Sequence, residues 1–281
     1  MSAPCARRAG LAGRRGIALA LCVLLGSPLS GASATGVPPA PALAATDAAT
    51  PVTPPLLPAA APAARGGLEI YRQFQQGLAD PACAADVSAR WSKHYAAAPK
   101  RLATPGDDTL VLFGYVLDAV RAAHLPSEYA LIPFVESGYR PEARSSSGPV
   151  GMWQMIERTA RNHKVPIRKG YDGRLSPVDS TRAAVRYLKT LHGMFAGDWR
   201  LAAMAYNAGE YRILGALKSG GQQARNANPA TLAGVPATTQ AYVRKLQALA
   251  CVLDDANQQE SWIKAMDRPA PRMPVPELAS N

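Results

Sequence analysis

From Leu68 onward, apolar side chains recur every three or four positions, and no stretch of useful length alternates apolar with polar. Leu68, Ile70, Tyr71, Phe74 and Leu78 form the first stripe, and Val87, Trp91 and Tyr95 the second. Leu110 to Val120 follows, then Ala184, Tyr187, Leu188, Leu191 and Phe195, and finally Tyr242, Leu246, Leu249 and Leu253. A period near 3.6 buries one face of a helix, while the period of two that a half-buried sheet needs is missing, so the fold class is all-α.

Capping residues divide the stripes. Asp80-Pro81 reads as a cap with proline in the first turn. Leu125-Pro126-Ser127-Glu128 opens a central helix, which Pro133 should bend or loosen one turn before Glu136, because it cannot donate a backbone hydrogen bond. Met152 to His163 resumes the helical period with Ile156 and Ala160 on one face. Ser176-Pro177-Val178-Asp179 reads as a capping box. Asp198 caps a helix through Tyr206 that Gly209 closes, Glu210 to Leu217 is short and helical, and Thr238 to Asp254 is the last strong helix. Lys164 to Leu175 and Lys218 to Pro236 read as polar surface loops, the second expected to be mobile.

Composition sets the limits of the folded part. Residues 1–34 hold Arg7, Arg8, Arg14 and Arg15, an apolar run from Ile17 to Leu25, and Ala32-Ser33-Ala34. A basic start, a short apolar core and an Ala-x-Ala site make a secretory signal peptide. The run is shorter than the roughly 20 residues that span a bilayer, so an uncleaved anchor is the lesser alternative. Lipidation at Cys22 is set aside because Leu21 precedes it and it lies inside the apolar run. Residues 35–66 form a Pro/Ala-rich linker; from Thr35 to Ala64 there are eight prolines and one charged residue, Asp47, a composition that gives a semi-extended tether. Residues 67–266 form one helical domain whose motif core runs from about 107 to 254, and residues 267–281 read as a Pro-rich, disordered tail. A secreted chain with Cys83 and Cys251 as its only mature cysteines can bridge them in an oxidising compartment, with two buried thiols as the alternative.

Removing the four leader arginines lowers the net charge from +11 to +7. That excess suits an anionic polymer without choosing one. No nucleic-acid-binding motif accompanies it, and His94, His124, His163 and His192 are scattered without metal spacing, so neither a nucleic-acid partner, a metal nor a cofactor is expected.

The chemistry concentrates in four places: Glu136-Ser137; Ser145 through Gln154; Ala205 to Gly209; and Tyr242. A lone acid beside apolar side chains keeps its proton near neutral pH, and a protonated carboxyl can give that proton to a leaving group. A second carboxylate, usual in glycosidic cleavage, is hard to find: Glu142 is too near in sequence, and Asp172 and Asp179 sit in a loop and a cap. Ser145-Ser146-Ser147-Gly148 lacks the setting of a serine nucleophile.

Glu-Ser-Gly-Tyr at 136–139, Gly-Pro-Val-Gly-Met-Trp-Gln at 148–154 and Ala-Tyr-Asn-Ala-Gly at 205–209 together resemble the signature motifs of the lytic transglycosylase (SLT domain) family, and most closely its membrane-bound lytic murein transglycosylase D type. The similarity runs from about Trp91 to Leu253. It implies a goose-type lysozyme-like helical domain, secreted to the periplasm, whose partner is the glycan strand of peptidoglycan. It also implies Glu136 as the single catalytic acid, aided by the substrate's own N-acetyl group. Ser137, Ser145, Gln154, Tyr206, Asn207 and Tyr242 are carried over as substrate-binding, with Trp153 or Met155 shaping the cleft wall. Tyr242 would place its hydroxyl near Glu136. Pro149 stands where the family usually has a small residue, and Ser176 where an Asp often precedes proline. The competing readings are a lysozyme-like hydrolase and a catalytically silent wall-binding module.

Overall fold

The first apolar stripe becomes α1 (Gly67–Gln76), which buries Ile70, Tyr71 and Phe74 against the core. In the computed structural model, which describes residues 64–80, 83 and 87–273, it is followed by α2 (Ala89–Tyr95), α3 (Ala98–Ala103) and α4 (Thr109–Ala122). A 3-10 turn over Ser127–Leu131 leads into α5 (Ile132–Ser137), and α6 spans Glu157–Asn162. Then come α7 (Pro177–Met194), α8 (Trp199–Ala208), α9 (Glu210–Ser219), α10 (Ala237–Asn257) and α11 (Glu260–Met266). The described residues are all-α apart from two short antiparallel ribbons. β1 (Arg65–Gly66) pairs with β4 (Pro269–Ala270), and β2 (Ile167–Arg168) with β3 (Tyr171–Asp172). The leader, most of the linker and residues 274–281 lie outside the described residues. Residues 65–66 and 269–270, assigned from composition to linker and tail, are folded: Ala270 is buried, and Gly67 N donates to Arg268 O at 2.9 Å.

Several helix limits follow from their caps. Ser176 Oγ accepts from Asp179 N at 3.2 Å, with Pro177 opening α7. Asp198 Oδ1 accepts from Arg200 N and Leu201 N at 2.8 and 3.0 Å, satisfying amides that the first turn of α8 leaves without helical partners. α10 runs through the middle, touching α2, α3, α5, α8, α11 and the 3-10 turn. Around it Trp153, Tyr129, Tyr139, Phe74, Phe113 and Phe195 are sealed from solvent.

The helix carrying Trp91 and Tyr95 begins at Ala89, with extended Ser88 at its cap; Pro81 and the turn expected after it lie outside the described residues, and the Asp80 carboxylate accepts from Trp199 Nε1 at 3.3 Å and from Arg200. Two expectations are corrected. Pro133 does not bend a continuous helix. The 3-10 turn ends at Leu131 and Pro133 falls in the first turn of the new helix α5, where a missing N–H breaks no bond. The stretch after Gly151 is not helical until Glu157. Gly151 has φ +81°, and a Cβ there would stand 1.9 Å from Arg174 O. Gln154 is also left-handed, at φ 46°, so Gly151 to Met155 is a fixed turn, and Ile156 caps α6 with its side chain 48% exposed. The Lys218 to Pro236 stretch contains two 3-10 turns and buries Leu232. α3 and α11 carry no long stripe and go unannounced in the sequence.

Cys83 and Cys251 are joined in a disulfide with Cα atoms 5.5 Å apart, 168 residues apart in sequence. It fastens the segment before α2 to α10. A crosslink closing so long a loop contributes about 2–4 kcal/mol by restricting the unfolded chain.

Candidate active site

α5 ends at Ser137, one residue after the acid. Gly138 takes φ 64°, its N–H returns to Phe134 O at 3.1 Å, and Tyr139 N returns to Pro133 O at 3.0 Å. This left-handed closure satisfies the last carbonyls of the helix and sets Glu136 in its final turn. Arg101, paired with Asp107, donates to Gly138 O and braces the turn from α3. Tyr139 is buried, gives its hydroxyl to Ala130 O at 2.6 Å and packs its ring 4.7 Å from Phe134.

Glu136 is half-buried. Its Oε1 accepts from the Tyr242 hydroxyl at 2.6 Å. No partner holds Oε2 among the described residues. Burial raises the carboxyl's pKa above its ordinary value, while the Tyr242 hydrogen bond and the Lys245 charge pull it back in part. Tyr95, from α2, has its hydroxyl pushed up to about 12 by burial and by the charge of Glu136. Tyr206 and Tyr242 are raised in the same sense, first by burial and then by Glu136. Three neutral phenols therefore surround one acid.

The loop between the first two motifs is held from three helices. Ser137 Oγ donates to Met152 O at 2.9 Å, the Tyr206 hydroxyl on α8 donates to Trp153 O at 2.8 Å, and Trp153 Nε1 donates to Thr181 Oγ1 on α7 at 3.0 Å. Gln154 Nε2 donates to Gly151 O at 2.7 Å and to Ala143 O at 3.3 Å, inside its own turn. Asn207 Oδ1 accepts from Thr239 Oγ1 at 2.9 Å, which links the Ala-Tyr-Asn-Ala-Gly turn to the start of α10. The second motif is thus tied to the first through Ser137 and to the third through Tyr206, while Tyr242 bonds Glu136 itself.

The sequence-predicted residues divide by exposure. Glu136, Ser145, Gln154 and Tyr206 are half-buried, and Asn207 is exposed. Ser137, Trp153, Met155 and Tyr242 are buried. Trp153 is 0% exposed and Met155 3%, so a cleft wall made by either side chain is corrected: Trp153 is a core anchor, and Met155 offers its carbonyl to Arg174. Ser145 stands apart from the acid's network, bonded to Ser147 Oγ at 2.8 Å. Each rival carboxylate has another setting. Asp172 pairs with Arg174 at 2.7 Å, Asp179 accepts from Tyr171 at 2.6 Å, and Glu142 is exposed. Lys245, Tyr95 and Thr239 join the site unforeseen. Lys245 lies three residues after Tyr242 on one helix, a spacing that puts both on one side, and this is the signal that finds it.

A cavity of about 920 Å³ does not contain Glu136. It lies along Val243, Gln247, Cys251 and Asp254 of α10, with Trp199 and Glu128. A second, of about 860 Å³, borders Tyr139, Arg140 and Glu142 beside the acid's helix end. The acid's environment, not cavity size, singles out Glu136 as the candidate: its carboxyl has a raised proton affinity and a tyrosine on one oxygen.

Residues 118–229 match the family described as Transglycosylase SLT domain. It is 35% identical over 144 residues to the membrane-bound lytic murein transglycosylase D of Escherichia coli, a match covering 51% of this chain and 32% of that protein. It is 40% identical over 83 residues to the peptidoglycan transglycosylase of Escherichia phage T7, covering 29% of this chain and 6% of that protein. The chain thus spans about a third of the Escherichia coli relative's length. Among solved structures it is similar to the soluble lytic transglycosylase SLT70 of Escherichia coli, with a TM-score of 0.42 and 18% identity, covering 62% of this chain and 31% of that one.

Proposed function

We propose that the protein is a periplasmic lytic transglycosylase that cleaves the β-1,4 bond between N-acetylmuramic acid and N-acetylglucosamine in peptidoglycan without consuming water. The observation that carries the reading is the isolation of Glu136: one half-buried carboxyl, bonded by Tyr242 and ringed by phenols, with every nearby rival acid exposed or engaged elsewhere. The SLT segment and the murein-cleaving relatives support it. In this reading Glu136, its proton affinity raised by burial, gives its proton to the glycosidic oxygen as that bond breaks. The substrate's N-acetyl group supports the cationic sugar carbon in place of a second carboxylate. The resulting carboxylate takes the proton of the muramic 6-hydroxyl, whose oxygen closes onto the same carbon and leaves a 1,6-anhydro sugar. The acid ends in the form it began in.

Ser145, Gln154 and Asn207 are the half-buried and exposed polar groups placed to meet sugar oxygens. Ser137 and Tyr206 act on substrate through the loop carbonyls that they hold. No helix among the described residues is long and apolar enough to cross a membrane, and the leader lies outside them. Wild type should clear a suspension of purified cell walls; a folded protein that binds walls without clearing them would point to the silent module instead. Tyr242→Phe removes the hydrogen bond that Glu136 Oε1 accepts as it becomes a carboxylate, at a cost of about 1.5–3 kcal/mol. Turnover of purified peptidoglycan should therefore fall roughly ten- to hundredfold with the fold intact by circular dichroism.

A further inference from the structure

α10 presents two groups to the acid. Tyr242 bonds Glu136, and one turn later Lys245 holds its Nζ 4.8 Å from the centre of the Trp91 ring. Trp91 belongs to α2, which packs along α10. Its half-buried ring also carries the Arg90 guanidinium at 4.9 Å, meets His94 edge-on at 5.6 Å and stacks toward Tyr95 at 6.5 Å. A lysine on a half-buried helix ordinarily sends its ammonium out to water. Here the negative face of an indole holds it in place, on the side of α10 that faces Glu136.

We propose that Lys245, held on Trp91, is a positioning residue for Glu136: its charge stabilises the carboxylate left after proton donation and lets one side chain alternate between acid and base. The inference rests on the reading of Glu136 as the acid of the proposed cleavage. The other groups around Glu136 do not supply such a charge. Tyr242 of α10, Tyr206 of α8 and Tyr95 of α2 are neutral phenols. The guanidinium of Arg101 on α3 lies on Gly138 O, and that of Arg140 on Ser137 O at 2.8 Å. Burial alone would leave Glu136 a proton holder, able to protonate a leaving group only reluctantly; a fixed cation nearby opposes that tendency. The lowering of the acid's proton affinity by Lys245 is in keeping with this geometry.

The test is the pH dependence of kcat and KM on purified peptidoglycan for wild type, Lys245→Met, Lys245→Arg and Trp91→Phe. Lys245→Met should lower kcat at neutral pH on the order of tenfold, a part of what general acid–base catalysis supplies, with little change in KM. It should also move the basic limb of kcat to higher pH, because the acid form of Glu136 then survives further. Lys245→Arg should restore the limb, and Trp91→Phe should move it part of the way, since a phenyl ring holds a cation less strongly than an indole. Carbon NMR titration of the Glu136 carboxyl in folded wild type and Lys245→Met should give the same upward shift without turnover. If the carboxyl titration and the basic limb are both unmoved while Glu136→Gln is inactive, this inference alone falls. If Glu136→Gln cleaves with the wild-type limb, the reading beneath it falls.

Discussion

Glu136→Gln is expected to abolish cleavage of peptidoglycan, a loss of at least about 10²- to 10⁴-fold, the range that a positioned acid–base group contributes. The amide fits the same space and still accepts from Tyr242, but it has no proton to give at neutral pH and no carboxylate to receive one. Because no other carboxyl among the described residues bonds into the site, none of them is placed to take over. Thermal unfolding and binding to purified glycan strands should stay close to wild type, since burial disfavours the ionised acid. Substantial residual turnover, measured by release of soluble muropeptides, would mean that another residue donates the proton.

Trp153→Ala is expected to lower stability by about 3–5 kcal/mol, the cost of emptying the space of a buried large aromatic. The indole is fully enclosed and hydrogen-bonded to Thr181. Its backbone carbonyl is the acceptor for Tyr206 and its neighbour Met152 is the acceptor for Ser137. Against a total of about 5–15 kcal/mol for an ordinary domain, this loss should be plain in chemical denaturation, with turnover falling as the loop loosens. A variant that unfolds like wild type and cleaves poorly would restore the cleft-wall role that its burial contradicts.

The periodicity of the stripes announced most of the helices because a helix that buries one face must repeat its apolar residues every three or four positions. α7 and α8 were legible to the residue at their starts, since Ser176 and Asp198 cap locally through their own side chains. Asp80 has the same chemistry, but its carboxylate also meets Arg200 and Trp199, some 120 positions away in sequence, which no local pattern announces. The turn at Gly151 was hidden for a similar reason: the close approach of Arg174 O, not any local pattern, excludes a side chain there. Within the site, Glu136 and Tyr242 could be read from motifs, but their 2.6 Å contact joins α5 to α10 across 106 positions. The spacing from Tyr242 puts Lys245 on the same side of α10, but its contact with Trp91 could not be read, since only the fold brings that ring beneath it.

Mass analysis of the products from purified, unreduced glycan strands tests the central claim most directly. Cleavage by Glu136 without water predicts muropeptides that end in 1,6-anhydro-N-acetylmuramic acid and carry no reducing end there. Products each heavier by one water, with a reducing muramic end, would contradict it and make the enzyme a hydrolase.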